Sequence, residues 1–532
     1  MSLRRSLLVA GLIGATTSAA FGDDPFLGWT DTYCETVKTL VQSNAGPCRT
    51  ARSGALMYLA MYDAVNSITK TNAPYLVDYP APPNASQKAA ATCAAYDVMM
   101  AIYPTRAYLF DPRLQEDLDA IPDGPEKADG IAVGQAVAAA ILASRVDDGS
   151  EDTITYEPVM EPGHWRPTWP DYRNANDPHY GRVLPFGMAT SGQFLPADAP
   201  AIDSEEYFES WDEVRRIGDD RANAIGTLPW EIGWFWANDQ DGTFKPTGHM
   251  FFLTKVVSQV AGLSLAENAR LFGLMGIAIA DAAIAAWNTK YETDWDVWRP
   301  ITGIREADTD GNPLTYPVAD WTPASHFTPN FPSYTSGHST FAAANAQVLR
   351  RFLGTDEMEF TLATADPHLP YGATRTMHSF TQAENENADS RVYIGVHWRF
   401  DCDRALEVGR LVGDWTFDNY LRPISEQTSG VAERPFAVRL EAVYPNPTPG
   451  RTHLRLSTEV PGALRVAVFD ASGRRISEVD SRQVAAGSVE LVWDGLGSNR
   501  RPVAPGVYFV RGTLDGRPLD IHDSRARVVV RH

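Results

Sequence analysis

The chain has 532 residues, more than one hydrophobic core usually spans, so two or more domains are expected. Its 44% apolar and 21% charged residues exclude wholesale disorder. With 67 acidic against 46 basic residues the formal net charge is −21, which argues against nucleic acid or an anionic membrane as a partner. Against that background any cluster of Arg and Lys stands out, and an anion bound by such a chain has to sit in a pocket.

Arg4 and Arg5 precede the apolar run Leu7 to Ile13, and Ala20-Phe21-Gly22 follows before Asp23-Asp24-Pro25. A charged start, an apolar stretch too short for a bilayer and a small-x-small site predict a signal peptide over residues 1–22. No later stretch reads as a transmembrane segment, because the Ala-rich run Gly262 to Trp287 carries Glu267, Arg270 and Asp281. The mature protein is therefore expected to be exported, either secreted or at the cell surface. Four cysteines follow, Cys34, Cys48, Cys93 and Cys402. Export permits disulfides, the short Cys34/Cys48 loop is the first candidate bridge, and no zinc spacing is present.

Helical periodicity dominates from about residue 50 to 425. Ala55 to Ile68, Ala85 to Ile102, Lys127 to Arg145 and Leu265 to Thr289 carry apolar residues at i, i+3, i+4 spacing. Ser339 to Leu353 continues the pattern and stops at Gly354, and Arg404 to Tyr420 follows the capping aspartates Asp401 and Asp403. Between about 155 and 250 the chain is rich in Pro, Gly and Trp and predicts long loops around the helical body. After Leu421-Arg422-Pro423 the character changes. A polar linker is expected at 425–435 and a small all-β sandwich at 436–532, with strands at His453 to Leu456, Leu464 to Phe469, Val489 to Trp493, Val507 to Arg511 and Ala526 to Val530. Glu441-Ala442-Val443-Tyr444-Pro445-Asn446-Pro447, Val468-Phe469-Asp470, Trp493-Asp494-Gly495 and Pro505-Gly506-Val507-Tyr508 resemble the Ig-like sorting domains of bacterial type IX secretion. That resemblance implies secretion machinery as a partner of the tail; the competing reading is a generic binding sandwich.

Three segments carry chemistry: Trp287-Asn288-Thr289-Lys290 leading to Trp298-Arg299-Pro300, Phe331 to Ser339, and Ser390-Arg391 with His397 six residues on. Ser336-Gly337-His338 reads as a turn feeding a helix start, whose free N–H groups and positive dipole end suit an oxyanion. Arg299 and Arg391 supply planar forks and Lys290 a point charge. His338 can move protons near neutral pH, and His397 offers a ring nitrogen able to bond phosphorus or vanadium. Arg391 and His397 on one unbroken helix would lie about 120° apart, and Gly395 offers the bend that turns His397 back.

In this order the segments resemble the vanadium-dependent haloperoxidases, which share a superfamily with type 2 phosphatidic acid phosphatases and bacterial acid phosphatases. The specific match runs from about Leu265 to Asp414. It implies a mainly α domain over 23–424, a helical bundle of haloperoxidase/acid phosphatase type. It also implies vanadate as cofactor, with His397 as its ligand and Lys290, Arg299, Ser336, Gly337 and Arg391 holding its oxygens. His338, Lys290 and His397 are the implied catalytic residues, and Trp287 and Phe331 the implied halide pocket. The family pattern has six residues between Lys and Arg-Pro, whereas eight separate Lys290 from Arg299; the extra pair has to be absorbed in the stretch Tyr291 to Val297. Thr335 stands where the pattern has proline.

Two enzymes fit this pocket. A haloperoxidase would take hydrogen peroxide, halide and small organic acceptors; an acid phosphatase would work through a phosphohistidine at His397. The flanking aromatics Trp287 and Phe331 favour the haloperoxidase, and an inactive oxyanion-binding scaffold is the third reading. Asp239-Gln240-Asp241-Gly242 and Asp308-Thr309-Asp310-Gly311-Asn312 look like fragments of calcium loops but lack the closing Glu, so turns are expected. A homo-oligomer is left open.

Overall fold

The computed structural model describes residues 24–41 and 45–424 and most of 438–530. The signal peptide expected at 1–22 and the linker expected at 425–435 lie outside the described residues. The chain divides into two compact units, Met1–Ile424 and Ser425–His532.

The first unit contains the helices α1 (Pro25–Lys38), α2 (Pro47–Thr69), α3 (Gln87–Ile102), α4 (Ala107–Asp119), α5 (Pro125–Ala143), α6 (Glu205–Ile217), α7 (Leu228–Ala237), α8 (Lys245–Ala261), α9 (Leu265–Tyr291), α10 (Pro300–Arg305), α11 (Gly337–Leu353), α12 (Phe380–Tyr393) and α13 (Arg399–Asn419), with one hairpin of β1 (Glu357–Ala363) and β2 (Thr374–Ser379). The stretch expected to form long loops thus holds α6, α7 and the start of α8. Ser204 and Thr227 cap α6 and α7 by accepting the Tyr207 and Trp230 amides. Pro229 and Pro246 stand in first turns, where a helix has no use for an N–H. Four of the six tryptophans of that stretch, Trp165, Trp211, Trp234 and Trp236, are buried in the core.

The axis of this unit is α9. Glu267 Oε2 accepts the Ser264 amide at 2.8 Å while Ser264 Oγ accepts the Glu267 amide, a reciprocal cap that starts the helix. By length and composition α9 does qualify as a membrane-crossing helix, contrary to the sequence expectation. The most apolar 18-residue window of this helix is 94% buried inside the bundle, and the helix packs on α2, α11 and α13. Its one mid-helix charge, Asp281, accepts the amides of Phe186, Gly187 and Met188 at 2.6–2.7 Å and so pins an incoming loop. Asp281→Ala would leave three buried donors without an acceptor. We expect it to lower stability by about 3 kcal/mol or more, read from urea unfolding followed by tryptophan fluorescence; an unchanged midpoint would mean that water replaces the carboxylate.

Helices α11 and α13 meet backbone to backbone. A Cβ added at Gly409 would stand 2.4 Å from the Thr340 carbonyl oxygen, so only glycine allows the approach. At that end of the pair the Ser336 amide donates to the Asp401 carbonyl at 3.0 Å, joining the start of α11 to the start of α13.

The Cys34–Cys48 bridge is not formed, and all four cysteines are free and buried. Cys34 lies in α1 with its thiol 3.7 Å from the Gly248 carbonyl, and burial holds both thiols well above their ordinary range.

The second unit is two antiparallel sheets over one core. One sheet orders β10 (Arg527–Val530), β8 (Gly506–Leu514), β5 (Gly462–Asp470) and β6 (Arg475–Val484), with β9 (Arg517–Pro518) beside β8; the other orders β3 (Val438–Tyr444), β4 (Thr452–Thr458) and β7 (Gly487–Trp493). Alternate residues of β4, β5, β7 and β8, among them Leu454, Leu456, Val466, Val468, Leu491 and Val510, fill the space between them. Four of the five expected strands fall inside β4, β5, β7 and β8, and the fifth coincides with β10 over Arg527–Val530, its first residue Ala526 lying outside the described residues; β3, β6 and β9 are additional.

Candidate active site

Four chain segments converge on one cleft of about 850 Å3, lined at its inner end by Trp287, Phe331, Gly337, His338, Arg391 and His397. Trp287 stands on the last turns of α9. Gly337 and His338 open α11, where Ser336 is the N-cap and its Oγ takes bonds from the Ser339 amide and hydroxyl. Arg391 is in the last turn of α12. The chain then reverses: Gly395 takes φ +76°, and the amides of Val396 and His397 both donate to the Arg391 carbonyl, at 3.1 and 3.3 Å. This fold-back brings His397 over Arg391, the bend the sequence offered at Gly395. Gly395 also touches Gly218, whose carbonyl oxygen would lie 2.4 Å from an added Cβ. Gly395→Ala is expected to cost about 1–3 kcal/mol from its φ alone and more from the clash. It should also shift His397 enough to lower any activity at that residue disproportionately to stability; a variant of normal stability and activity would refute this account.

His397 is fixed by Asp401, whose Oδ2 lies 2.9 Å from Nδ1 and also accepts the Trp398 amide at 3.0 Å. The carboxylate therefore does more than cap α13, which begins at Arg399 rather than at Arg404. With Nδ1–H donated to Asp401, His397 keeps a lone pair on Nε2. Arg299 Nη1 donates to that nitrogen at 3.1 Å, and burial, Arg299 and Lys290 hold the imidazole well below its ordinary range, so it is neutral.

Arg299 is buried among carbonyls, donating from Nε to Phe331 at 2.8 Å and from Nη1 to Val396 at 2.7 Å. Lys290 donates to the carbonyls of Pro332, Ser333 and Thr335, the first two at 2.8 and 3.0 Å. Burial and Arg299 push this amine well below its ordinary range, and Asp401 opposes them. Three carbonyl acceptors need three donors, which only the ammonium has, so we assign Lys290 as protonated. All its donors are then spent on the loop before α11. The structure thus brings Arg391, His397, His338 and Gly337 to the cleft surface, with Ser336, Arg299 and Lys290 directly behind them. The extra pair of residues after Lys290 lies in the non-helical stretch before Arg299, pinned where the Trp298 amide donates to the Gly163 carbonyl at 2.8 Å.

Arg391 is the least satisfied member. It is fully buried, its Nη2 donates to Asp239 Oδ2 at 2.7 Å, and its Nε and Nη1 have no partner. Buried guanidinium donors rarely stay empty. Asp239 also lies 3.7 Å from His338 Nε2. Burial raises its carboxyl, but Arg391, His338 and Lys245 outweigh that and hold it below the usual range. In its local sequence Asp239 reads only as part of a turn. No spacing links it to Arg391, 152 residues away. His338 Nε2 bonds the Ala237 carbonyl at 2.8 Å, which puts the ring hydrogen there and leaves Nδ1 as the free acceptor. Burial first, then Arg391, pull His338 down to about 4.

Lys290, Arg299 and Arg391 face only Asp239 and Asp401, and burial lifts Asp401 to about 7. The site is net positive in a strongly negative chain. Among the described residues no three His, Cys, Asp or Glu side chains converge as a cation cage. Unpartnered guanidinium donors beside a neutral imidazole nitrogen fit a tetrahedral oxyanion, including a metal presented as its oxyanion. Trp287 and Phe331 lie 4.9 Å apart between centroids with their planes tilted by 49° on the cleft wall, with Arg299 4.8 Å and Lys290 5.2 Å from the Phe331 ring.

A family model for the VCPO second helical-bundle domain matches residues 270–426. The vanadium chloroperoxidase of Curvularia inaequalis is 29% identical over 334 residues, 52% of this chain and 54% of that protein, so the chain spans about half the length of the curated relative it matches. A bacterial vanadium-dependent iodoperoxidase superposes with TM-score 0.65 at 23% identity, over 75% of this chain and 98% of that one. A holo bacterial vanadium-dependent chloroperoxidase gives TM-score 0.56 at 19% identity, over 72% and 95%. At these identities the two structures speak to architecture alone, and that architecture is the helical one described above. Through the family model over 270–426 and the curated relative, the helical unit of this chain is similar to the vanadium-dependent haloperoxidases.

Proposed function

We propose that the chain is a vanadate-dependent haloperoxidase, oxidising halide with hydrogen peroxide to hypohalous acid. The observation that carries the reading is the pair of buried, partnerless Arg391 atoms, Nε and Nη1, beside the neutral His397 ring. Arg391, Arg299, Ser336 and the Gly337 amide would hold the oxygens of vanadate, and His397 Nε2 would bond its centre. Bound there, vanadate supplies Lewis acidity toward peroxide without a change of oxidation state. Lys290 keeps the loop before Gly337 in shape and adds positive charge behind it. His338, neutral and with Nδ1 free, takes the proton that peroxide loses. The Trp287–Phe331 wall strips water from a halide.

One geometric feature favours a second reading. The Asp401–His397 pair, with a neutral Nε2 that accepts only from Arg299, is also what nucleophilic attack on a phosphoester requires. A single comparison separates the two. Vanadate-loaded protein is assayed for peroxide-dependent halogenation with chloride, bromide and iodide, and vanadate-free protein for phosphoester hydrolysis. Hydrolysis without halogenation would overturn the first reading, and silence in both would leave an oxyanion-binding scaffold.

Oxyanion binding should carry a pH signature. As pH falls from 7 toward 4, Asp401 loses its negative charge near 7 and His338 approaches protonation near 4; each change favours an anion. Sulfate, which does not itself titrate in this window, is expected to bind progressively tighter by calorimetry as pH falls. A flat profile would show that neither group feels the ligand.

We further propose that the chain is exported through its N-terminal segment and sorted by its β unit. A secreted mature protein starting near Asp23 would support this, and cytoplasmic retention would refute it.

A further inference from the structure

We propose that Asp366 is a positioning residue for the site: by holding the backbone of Asn238 it sets the three-residue turn from which His338 and Arg391 both take their orientation. Its effect on turnover rests on the haloperoxidase reading; its effect on anion binding does not.

Two groups of the cleft floor are steered from one short stretch at the end of α7. The Ala237 carbonyl accepts His338 Nε2–H at 2.8 Å, and Asp239 Oδ2 accepts Arg391 Nη2 at 2.7 Å. Asn238 stands between them, carries none of the chemistry and is fully buried. Its φ of +43° is left-handed, a conformation that Asn adopts more readily than most residues. A rotation of this one residue would displace the partners of His338 and Arg391 together.

What resists that rotation comes from far along the chain. The Asn238 amide does not close the last turn of α7; it donates to Asp366 Oδ2 at 3.2 Å, 128 residues on. Asp366 lies in the loop between β1 and β2 with its side chain wholly buried. Its Oδ1 accepts the His368 amide at 3.1 Å and faces His368 Nδ1 at 2.8 Å, so the carboxylate is locked on its own side of the contact. The Asn238 side chain adds a second tie to the same region. Its Nδ2 donates to Thr364 Oγ1 and His249 Nδ1, both at 3.1 Å, and to the Phe235 carbonyl at 3.2 Å. His249 is an acceptor there, because its Nε2 donates to the Ala363 carbonyl at 3.0 Å and burial brings the ring down to about 4. On the other flank Thr243 Oγ1 donates to the Asn238 carbonyl at 2.8 Å.

Neither Asp366, Thr364 nor His249 lines the cleft, so their influence on a bound oxyanion passes through the turn. Without the Asp366 carboxylate the Asn238 amide becomes a buried donor with no acceptor, which the turn relieves by rotating. A displacement of about 1 Å in a group that meets the reacting atoms costs about a hundredfold in rate.

The test compares Asp366→Ala, Asp366→Asn and Asn238→Gly in the full chain. Sulfate calorimetry gives the affinity and, from its stoichiometry, the fraction of competent molecules. The kcat of bromide oxidation, at saturating vanadate and peroxide, is referred to that fraction. Asp366→Ala is expected to lower this kcat about 10- to 100-fold, the scale of lost supporting partners. Sulfate affinity should fall about three- to tenfold, the worth of one hydrogen bond. Asp366→Asn keeps an oxygen for the Asn238 amide and should recover most of both. Asn238→Gly keeps the left-handed turn and the amide but loses the side-chain tie, and should fall between the parent and Asp366→Ala. Parental kcat and affinity in Asp366→Ala, an Asp366→Asn variant no better than Asp366→Ala, or a loss confined to the competent fraction would each overturn the proposal. If Asp366→Ala does not fold, Asn238→Gly decides, and parental values there would sink it. A parent without halide oxidation would remove the haloperoxidase reading and leave the sulfate affinities to decide on Asp366.

Discussion

His397→Ala is expected to remove peroxide-dependent halide oxidation by about a thousandfold or more, the scale seen when a group bonded to the reacting centre is lost. Its Nε2 keeps a lone pair because Nδ1–H is held by Asp401, whereas His338 has its Nε2–H committed to Ala237 and keeps its lone pair on Nδ1. The oxyanion should still bind, because Arg391 and the Gly337 amide remain. Sulfate affinity is therefore expected to fall far less than activity. Removing the ring also strips Asp401 Oδ2 of one partner, but the Trp398 amide still donates to it, so the fold should persist. Asp401→Asn is the informative companion. An amide can still accept from Trp398 or from His397 but no longer holds a charge against the ring, and such supporting partners are typically worth 10- to 100-fold. Equal loss in the two variants would mean that the carboxylate, not the imidazole, does the chemistry.

Much of the floor was legible in the sequence because it is local. Ser336-Gly337-His338 is a helix start whatever surrounds it, and the Arg391–His397 spacing needs only one reversing residue, which Gly395 supplies with its positive φ. What was not legible depends on contacts far along the chain. Asp239 reaches Arg391 only because α7 packs against α12, and its local context of Asp, Gln and Gly says turn. The Ca-loop fragments are indeed turns; Asp310 Oδ1 simply accepts the Asn312 amide at 2.8 Å. The expected loops run from 155 to 204; beyond that Pro opens α7 and α8 rather than breaking them, and buried tryptophans resemble the composition of irregular chain. The membrane test on α9 turned on Glu267 and Arg270, which fall in its first two turns and leave the apolar remainder uninterrupted but for Asp281. Lys290 shows the limit of spacing. Its motif position predicts a ligand to the oxyanion, while its three donors are already committed to carbonyls of the adjoining loop.

Arg391→Ala should weaken oxyanion binding by at least about a hundredfold. Two charge-assisted hydrogen bonds at about 1.5–3 kcal/mol each, from Nε and Nη1, correspond to a factor of roughly 10^2 to 10^4. Part of the loss has a different source. Without the guanidinium, Asp239 loses its main counter-ion and faces the ligand as a carboxylate, adding repulsion. Asp239→Ala in the same chain should therefore recover part of the affinity. In the parent background Asp239→Ala has two opposed effects, since it removes that repulsion and a competitor for Arg391 but also releases the ion pair that orients the fork. Its net effect there is expected to be small. The double-mutant cycle thus carries the argument: a coupling of about 1 kcal/mol or more between the two positions is expected if both act on one ligand. Simple additivity would mean that Asp239 only braces the α7 end. An Arg391→Ala variant that binds sulfate as the parent does would place the oxyanion elsewhere, whatever the unpaired nitrogens suggest.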